Sequence, residues 1–174
     1  MNLELKPITG KEDFERFCCE VAKAVFGDFL ASRYGRDGQK QHGIDVRATD
    51  FVGAYGRVVI QCKFNESPDA KATLAKAKDE FQRDCVTACK ELSNDLDFDT
   101  FVYAGLWPAD TGLDDQARAL AKQTGKTVCV WSLEGLKGYV NAHVRLQRLA
   151  CKDEQGQGKG ETTHFQSGFP KLRC

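Results

Sequence analysis

Apolar residues recur along this chain with two different periods, and the periods divide it into predicted helices and strands. A helical apolar stripe, with side chains three or four positions apart, indicates four helices. They cover residues 11–26, 69–92, 110–122 and 133–149. Alternating or continuous apolar runs rich in β-branched residues indicate four strands. They cover residues 43–49, 57–64, 100–106 and 127–132.

The order of these elements predicts an α/β fold with a mixed central β-sheet flanked by helices. Gly53 and Gly56 lie between the first two strands and favour a turn, so residues 43–49 and 57–64 are predicted to form an antiparallel hairpin. The later strands alternate with helices, which favours parallel pairing. Within residues 43–49, the alternation predicts that Ile44, Val46 and Ala48 share one face.

Three polar residues of the hairpin form a candidate phosphodiesterase site. Gln61 and Lys63 share one face of their strand, and the hairpin would bring Asp45 of the neighbouring strand to them. Mg²⁺ takes oxygen ligands and commonly uses one or two carboxylates together with substrate phosphate oxygens. Asp45 and Gln61 are therefore candidate metal ligands, and Lys63 is a candidate for stabilising the transition state.

Two runs of sequence around these residues resemble a nuclease superfamily. They are Tyr-Gly-Arg-Asp-Gly-Gln-Lys-Gln-His-Gly-Ile-Asp-Val at 34–46 and Val-Ile-Gln-Cys-Lys-Phe at 59–64. Both resemble the PD-(D/E)XK nucleases, most of all the Mrr-like branch and the nuclease domains of bacterial antiphage defence proteins. The resemblance implies a restriction endonuclease-like core and a Mg²⁺ cofactor for which Mn²⁺ substitutes.

The resemblance also implies a fourth site residue and exposes one departure. Related domains often carry a glutamate of the first helix at the site, and Glu15 matches that position better than Glu20, although both remain candidates. Gln61 stands where the (D/E)XK half of the motif usually has an acid, which removes one charged ligand. Asp45, Gln61, Lys63 and Glu15 are thus the expected catalytic residues, with Asp45, Gln61 and Glu15 as metal ligands.

The activity that the resemblance implies is hydrolysis of double-stranded DNA, as the effector of a restriction or antiphage defence system. A double-strand break needs a homo-oligomer, a dimer or higher, and related domains are commonly fused to a sensor or NTPase domain. Two alternatives stay open: a domain with a decayed site that binds DNA or a partner without cutting, and a nuclease for RNA or for branched DNA structures.

Charge gives a mixed indication about nucleic acid. The chain has 25 Lys and Arg against 25 Asp and Glu, whereas nucleic-acid-binding domains usually show a basic footprint. Basic residues are denser between Arg33 and Arg47, before and within the first catalytic strand. The residues expected to contact DNA there are Arg36, Gln39, Lys40 and Gln41.

Other features narrow the class of protein. Gly125-Lys126-Thr127 lacks the earlier glycine of a phosphate-binding loop, and no apolar run approaches the ~20 residues of a membrane helix. Eight cysteines without a Cys-X-X-Cys pair favour reduced thiols in a cytoplasmic protein over a zinc site. Residues 1–150 are expected to form the nuclease domain, and residues 151–174 a polar tail or linker.

Overall fold

The computed structural model describes residues 7–35, 43–65, 69–95 and 97–150. Helices and strands alternate through most of this length, as the hydrophobic periods predict. The elements are α1 (Lys11–Phe26), β1 (Ser32–Arg33), β2 (Val46–Thr49), β3 (Arg57–Lys63), α2 (Ala70–Asp95), β4 (Thr100–Gly105), α3 (Thr111–Thr124), β5 (Thr127–Trp131), α4 (Leu133–Ala142) and α5 (Val144–Ala150). The predicted tail, residues 151–174, lies outside the described residues.

The strands form one mixed sheet in the order β1-β2-β3-β4-β5. β1, β2 and β3 pair antiparallel, and β3, β4 and β5 pair parallel. Both the hairpin and the parallel pairing of the later strands are confirmed. The fold class is therefore α/β, with a five-stranded mixed sheet flanked by helices.

The sheet separates two hydrophobic layers. On one face α1, α4 and α5 cover side chains that include Ile60 and Cys62 of β3, and on the other face α2 and α3 cover Val59. Successive strand residues thus point to opposite layers. Burial of each large apolar side chain contributes about 1.5–3 kcal/mol, so both layers hold β3 firmly at the centre of the fold.

The first helix begins and ends as its sequence predicts. Phe14, Cys18, Val21 and Ala22 form its buried stripe, and Gly27 follows with φ 66°, a left-handed conformation that costs glycine little. A Cβ at Gly27 would also lie 2.9 Å from Cγ1 of Val52. Glycine at this position therefore both ends the helix and admits the β2–β3 loop.

The prediction of one helix over residues 133–149 is wrong. His143 is extended, with φ −125° and ψ 109°, and separates α4 from α5. The break allows Leu146 of α5 to join the core layer of α1 and allows Arg145 to reach Glu20 of α1, at 3.2 Å. Tertiary packing here outweighs the helical preference of the segment.

The two tryptophans lie on opposite faces of the sheet. Trp107 stacks on Tyr103 with ring centroids 5.0 Å apart, and Trp131 stacks on Phe26 at 5.9 Å. Each is at most 2% exposed, so both pack in the core. Gly105 is required beside Trp107, because a Cβ there would lie 1.8 Å from the indole.

In the described part of the chain, no helix combines the length and the apolar character that crossing a membrane requires.

Candidate active site

Asp45 is fixed at the start of the β2–β3 hairpin by three hydrogen bonds. Its backbone N–H donates to the Ile60 carbonyl at 2.9 Å, and its carbonyl accepts from the Tyr34 N–H at 2.8 Å. Its carboxylate oxygen Oδ2 accepts from the backbone N–H of Cys62 at 2.7 Å. The side chain therefore takes the place of a backbone acceptor for β3, and its second oxygen, Oδ1, is left for other partners.

The strand alternation breaks at Asp45. Val46 lies in the layer of α1, as Ala48 does, whereas Ile44 lies in the layer of α2 and α3. The prediction that all three share one face is therefore wrong at Ile44. In the pairing of β2 with β3, Val46 lies opposite Ile60. The Ile60 carbonyl nevertheless accepts a hydrogen bond from the N–H of Asp45, one residue before Val46. This one-residue offset is that of a β-bulge. Such an offset redirects a side chain, here the candidate metal ligand.

Glu15 and Asp45 form an acid pair, joined by a shared lysine. Lys11 Nζ lies 3.4 Å from Glu15 Oε1 and 3.9 Å from Asp45 Oδ1. Arg33 Nε lies 3.6 Å from the other Glu15 oxygen, Oε2. The two carboxylate side chains are only 11% and 7% exposed, while Lys11 is 64% exposed. Buried acids thus face cations that reach them from the surface.

Glu20, the other candidate on α1, has different partners. Its carboxylate contacts Lys23 at 2.8 Å and Arg145 at 3.2 Å. These contacts hold it towards α5, whereas Glu15 shares Lys11 with Asp45. The geometry therefore favours Glu15 of the two.

Burial raises the pKa of the Asp45 carboxyl to about 6. The hydrogen bond from Cys62 lowers this pKa, the charge of Glu15 raises it, and the charges of Lys11 and Lys63 lower it again. Burial is the largest of these influences, so the ionised carboxylate is incompletely neutralised by the protein. A cation bound against it would complete that neutralisation.

Gln61 presents a buried oxygen that lacks a hydrogen bond. The residue is 6% exposed, and its Oε1 finds no partner among the described residues. Its Nε2 packs against Gly43, whose φ is +76° and where a Cβ would lie 2.9 Å from that nitrogen. Leaving an amide oxygen buried and unpaired costs about 1–3 kcal/mol. An ion or water at Oε1 would remove this cost.

Lys63 lies at the end of β3 and is held by two carboxylates of α2. Its ammonium group donates to the Asp84 carboxylate and lies 3.6 Å from Glu80 Oε2. We call these three residues the lysine clamp. Burial raises the pKa of Asp84, but the hydrogen bond and the charge of Lys63 outweigh it, so the net pKa is lowered. The charge of Lys63 also reaches Asp45, where it lowers the pKa of that carboxyl.

Sequence reasoning missed the two acids of the clamp. Glu80 and Asp84 are four residues apart, each directly before a buried residue of the α2 stripe, Phe81 and Cys85. That spacing puts them together beside the apolar face of the helix. It could have marked them as partners for a charged strand residue on the sheet face that α2 covers.

The residues predicted to contact DNA, Arg36, Gln39, Lys40 and Gln41, lie outside the described residues. Among the described residues, the Arg47 guanidinium carbon lies 5.0 Å from the Tyr34 ring centroid. Arg33 and Arg47 are both exposed. Exposed positive charge therefore borders the acid pair at Arg33 of β1.

The donor set suits a hard divalent cation. Glu15 and Asp45 offer carboxylate oxygens, and Gln61, next to the Cys62 N–H that binds Asp45, offers its unpaired amide oxygen. Within the described ranges, no three side chains of His, Cys, Asp or Glu converge as a metal-binding group. A metal here would therefore use two carboxylates, one amide and several waters, as Mg²⁺ does elsewhere.

Comparisons of the chain with protein-family models, with curated proteins and with solved structures found no match.

Proposed function

We propose that this chain is a Mg²⁺-dependent DNA endonuclease with a PD-(D/E)XK site on a restriction endonuclease-like core. The observation that carries the proposal is the acid pair, two nearly buried carboxylates that share Lys11. Gln61, whose amide oxygen is buried and unpaired, precedes Cys62, the residue whose N–H binds Asp45. Lys63 follows Gln61 by two positions on the same strand, the order found in the Gln-X-Lys half of the motif.

The proposed site has residues that bind the metal ion and a residue that stabilises charge on the phosphate. Glu15, Asp45 and Gln61 would hold the metal ion, which when bound supplies polarisation of the phosphodiester and a more acidic water. Lys63 would place a positive charge on the side of β3 that faces α2 and stabilise charge that develops on the phosphate oxygens. The clamp acids Glu80 and Asp84 fix the position of its ammonium group. Arg36, Gln39, Lys40 and Gln41 would contact the DNA backbone.

One site cuts one strand, so cleavage of both strands requires two copies of the site. We therefore propose that the active form is a dimer or a higher homo-oligomer. Its place would be the cytoplasm, in a restriction or antiphage defence system, with a sensor or NTPase domain as the regulator.

Cleavage of supercoiled plasmid tests the proposal. The wild-type protein should nick or linearise plasmid with Mg²⁺ or Mn²⁺ and leave it intact with EDTA. Asp45→Ala and Lys63→Ala should each lower the rate by about 100-fold or more, because each removes a charge that acts on the reacting phosphate. Asp13→Ala, which removes an exposed carboxylate of α1, is the matched control and should keep the wild-type rate.

The same variants distinguish the alternatives. Full activity in a folded Lys63→Ala protein would refute this site. Cutting of labelled RNA, with plasmid left intact, would move the substrate to RNA. Binding of duplex DNA with no cleavage and no Mn²⁺ binding would identify a domain that only binds.

A further inference from the structure

Lys11 lies in a place that helix stability does not explain. It is the first residue of α1, where the amino end of the helix carries partial positive charge and disfavours cations. Its partner Glu15 is four residues later, and a lysine before a glutamate is the weaker order for such a pair. By both criteria, a lysine would stabilise α1 more at another position of the helix.

The acid pair explains the position instead. Lys11 Nζ lies between Glu15 Oε1 and Asp45 Oδ1, at 3.4 and 3.9 Å, and so joins a helix residue to the hairpin. Neither distance is that of a short, direct hydrogen bond. An ammonium group between two carboxylates occupies the position that a metal ion held by the same oxygens would take.

We infer that Lys11 is an internal counter-ion, which neutralises the acid pair before metal binds and yields its place to the divalent cation. The inference rests on the proposed function and adds to it a residue that couples metal binding to substrate binding. A divalent ion brings twice the charge of the ammonium group and also takes neutral oxygen ligands such as water.

The surroundings of Lys11 allow this exchange. Its side chain is 64% exposed, whereas those of the acids are only 11% and 7% exposed, and Asp45 has its own hydrogen bond from the Cys62 N–H. Arg33 contacts Glu15 through Oε2, the oxygen that Lys11 does not use, so departure of Lys11 leaves that contact intact. The displaced ammonium remains tethered within a side-chain length of the metal, where the phosphate of the substrate arrives. Lys11 is then a phosphate ligand that becomes available only when the metal is bound.

Metal affinity is the direct test, because it needs no cleavage. Mn²⁺ binding is measured by electron paramagnetic resonance or calorimetry at low ionic strength, for wild type and for Lys11→Met. Removing the competing charge should tighten Mn²⁺ binding about five- to tenfold, given the strength of one charge at about 4 Å from the ligands. The control is Lys76→Met, since Lys76 is 61% exposed and forms the same i, i+4 pair, with Glu80 at 3.9 Å. Lys76→Met should bind Mn²⁺ as wild type does.

DNA binding is the second measurement, and Lys11→Met should weaken it although the same change tightens Mn²⁺ binding. With Ca²⁺, another hard divalent ion, duplex DNA binding followed by fluorescence anisotropy should weaken about threefold or more in Lys11→Met, and the slope of affinity against salt should fall by about one. Without divalent ions, wild type and Lys11→Met should bind DNA alike, because Lys11 is then engaged with the acids.

The outcomes separate this inference from the proposed function. Wild-type Mn²⁺ binding with no change in Lys11→Met overturns the role of Lys11 and leaves the nuclease proposal standing. An equal change in Lys76→Met would show a general effect of charge and would also overturn it. Absence of Mn²⁺ binding in wild type overturns both. Lys11→Met is expected to fold, which circular dichroism verifies, since the side chain it changes is largely exposed.

Discussion

Asp45 and Asp84 are carboxylates held against the same strand, yet the protein shifts their pKa values in opposite directions. Asp45 is nearly buried and takes a backbone N–H of β3 as its closest partner, and burial raises its pKa to about 6. Asp84 is half-buried and binds the Lys63 ammonium, and its pKa is lowered. Burial alone therefore does not decide the charge of an acid in this fold. For Asp84 the partner outweighs burial, and for Asp45 it does not.

The same difference separates the acid pair from the lysine clamp. The cations of the acid pair are exposed and lie 3.4 to 3.9 Å from their acids, so they can be exchanged for another cation. The clamp joins a lysine directly to Asp84, and its three members are each at most 25% exposed. The acid pair is arranged to bind a cation, and the lysine clamp is arranged to hold the Lys63 ammonium group in position.

The largest expected effect comes from removing the charge of Asp45. An aspartate pKa raised from near 4 to about 6 means that ionisation of Asp45 costs the folded state about 2–3 kcal/mol above pH 6. The folded state binds the extra proton, so the free energy of unfolding of wild type should fall as pH rises from about 4 to 6. Asp45→Asn, which mimics the neutral acid, should be more stable than wild type at pH 7 by that amount.

Urea denaturation at pH values from 4.5 to 7.5 measures this difference. The advantage of Asp45→Asn should shrink steadily towards pH 4.5, where wild type is itself protonated. Saturating Mg²⁺ should also reduce it at pH 7, because only the carboxylate of wild type gains the ion. A difference that is constant across this pH range would show that Asp45 does not titrate as its burial implies.

A smaller effect of opposite sign is expected in the clamp. Asp84→Asn should lower the free energy of unfolding by about 1 kcal/mol at pH 7, because Lys63 loses a half-buried partner. A lowered carboxyl pKa gives stability that is present above about pH 4 and is lost as pH falls through the folded value. The cost of Asp84→Asn should therefore disappear in acid, the reverse of Asp45→Asn.

Asp79→Asn is the control for this change, since Asp79 is an exposed carboxylate of the same helix, and it should leave stability within about 0.5 kcal/mol of wild type. A double-mutant cycle with Lys63→Ala identifies the partner. If Asp84→Asn costs as much in the Lys63→Ala protein as in wild type, the stability of Asp84 comes from something other than Lys63.

The smallest effect is expected from the other clamp acid. Glu80 lies 3.6 Å from the Lys63 ammonium, whereas Asp84 accepts a hydrogen bond directly from it, so Glu80→Gln should cost about 0.5 kcal/mol or less. Denaturation of both variants at pH 7 ranks the two contacts. A larger loss of stability for Glu80→Gln than for Asp84→Asn would show that Glu80 is the stronger partner of Lys63.

The fold was predictable where a pattern is local. The apolar spacing of Phe14, Cys18 and Val21 together with Gly27 predicts both ends of α1, because helix periodicity and a left-handed stop are encoded within the segment. β1 was missed, since Ser32 and Arg33 become a strand only by pairing with β2. The break at His143 was missed for a similar reason, because it depends on where α5 packs.

For the candidate site, only the pairing of the hairpin that carries Asp45, Gln61 and Lys63 was predictable. Motif and hairpin geometry bring Asp45 near Gln61, and the structure then distinguishes Glu15 from Glu20 through their different partners. Sequence reasoning expected Lys63 to meet Asp45, but α2 supplies its nearest partners. Those contacts depend on how two helices pack on opposite faces of the sheet, which no periodicity of a single segment determines.

The two indoles, one on each face of the sheet, divide the fluorescence of this protein between its two layers. Trp131 stacks on Phe26 of α1, the helix that carries Glu15, and Trp107 stacks on Tyr103 in the layer of α2. With Trp107→Phe, the remaining emission reports the packing of α1 on the sheet, and with Trp131→Phe it reports the layer of the clamp. The fluorescence of a single tryptophan can thus show which face of β3 changes when an ion or a nucleic acid binds.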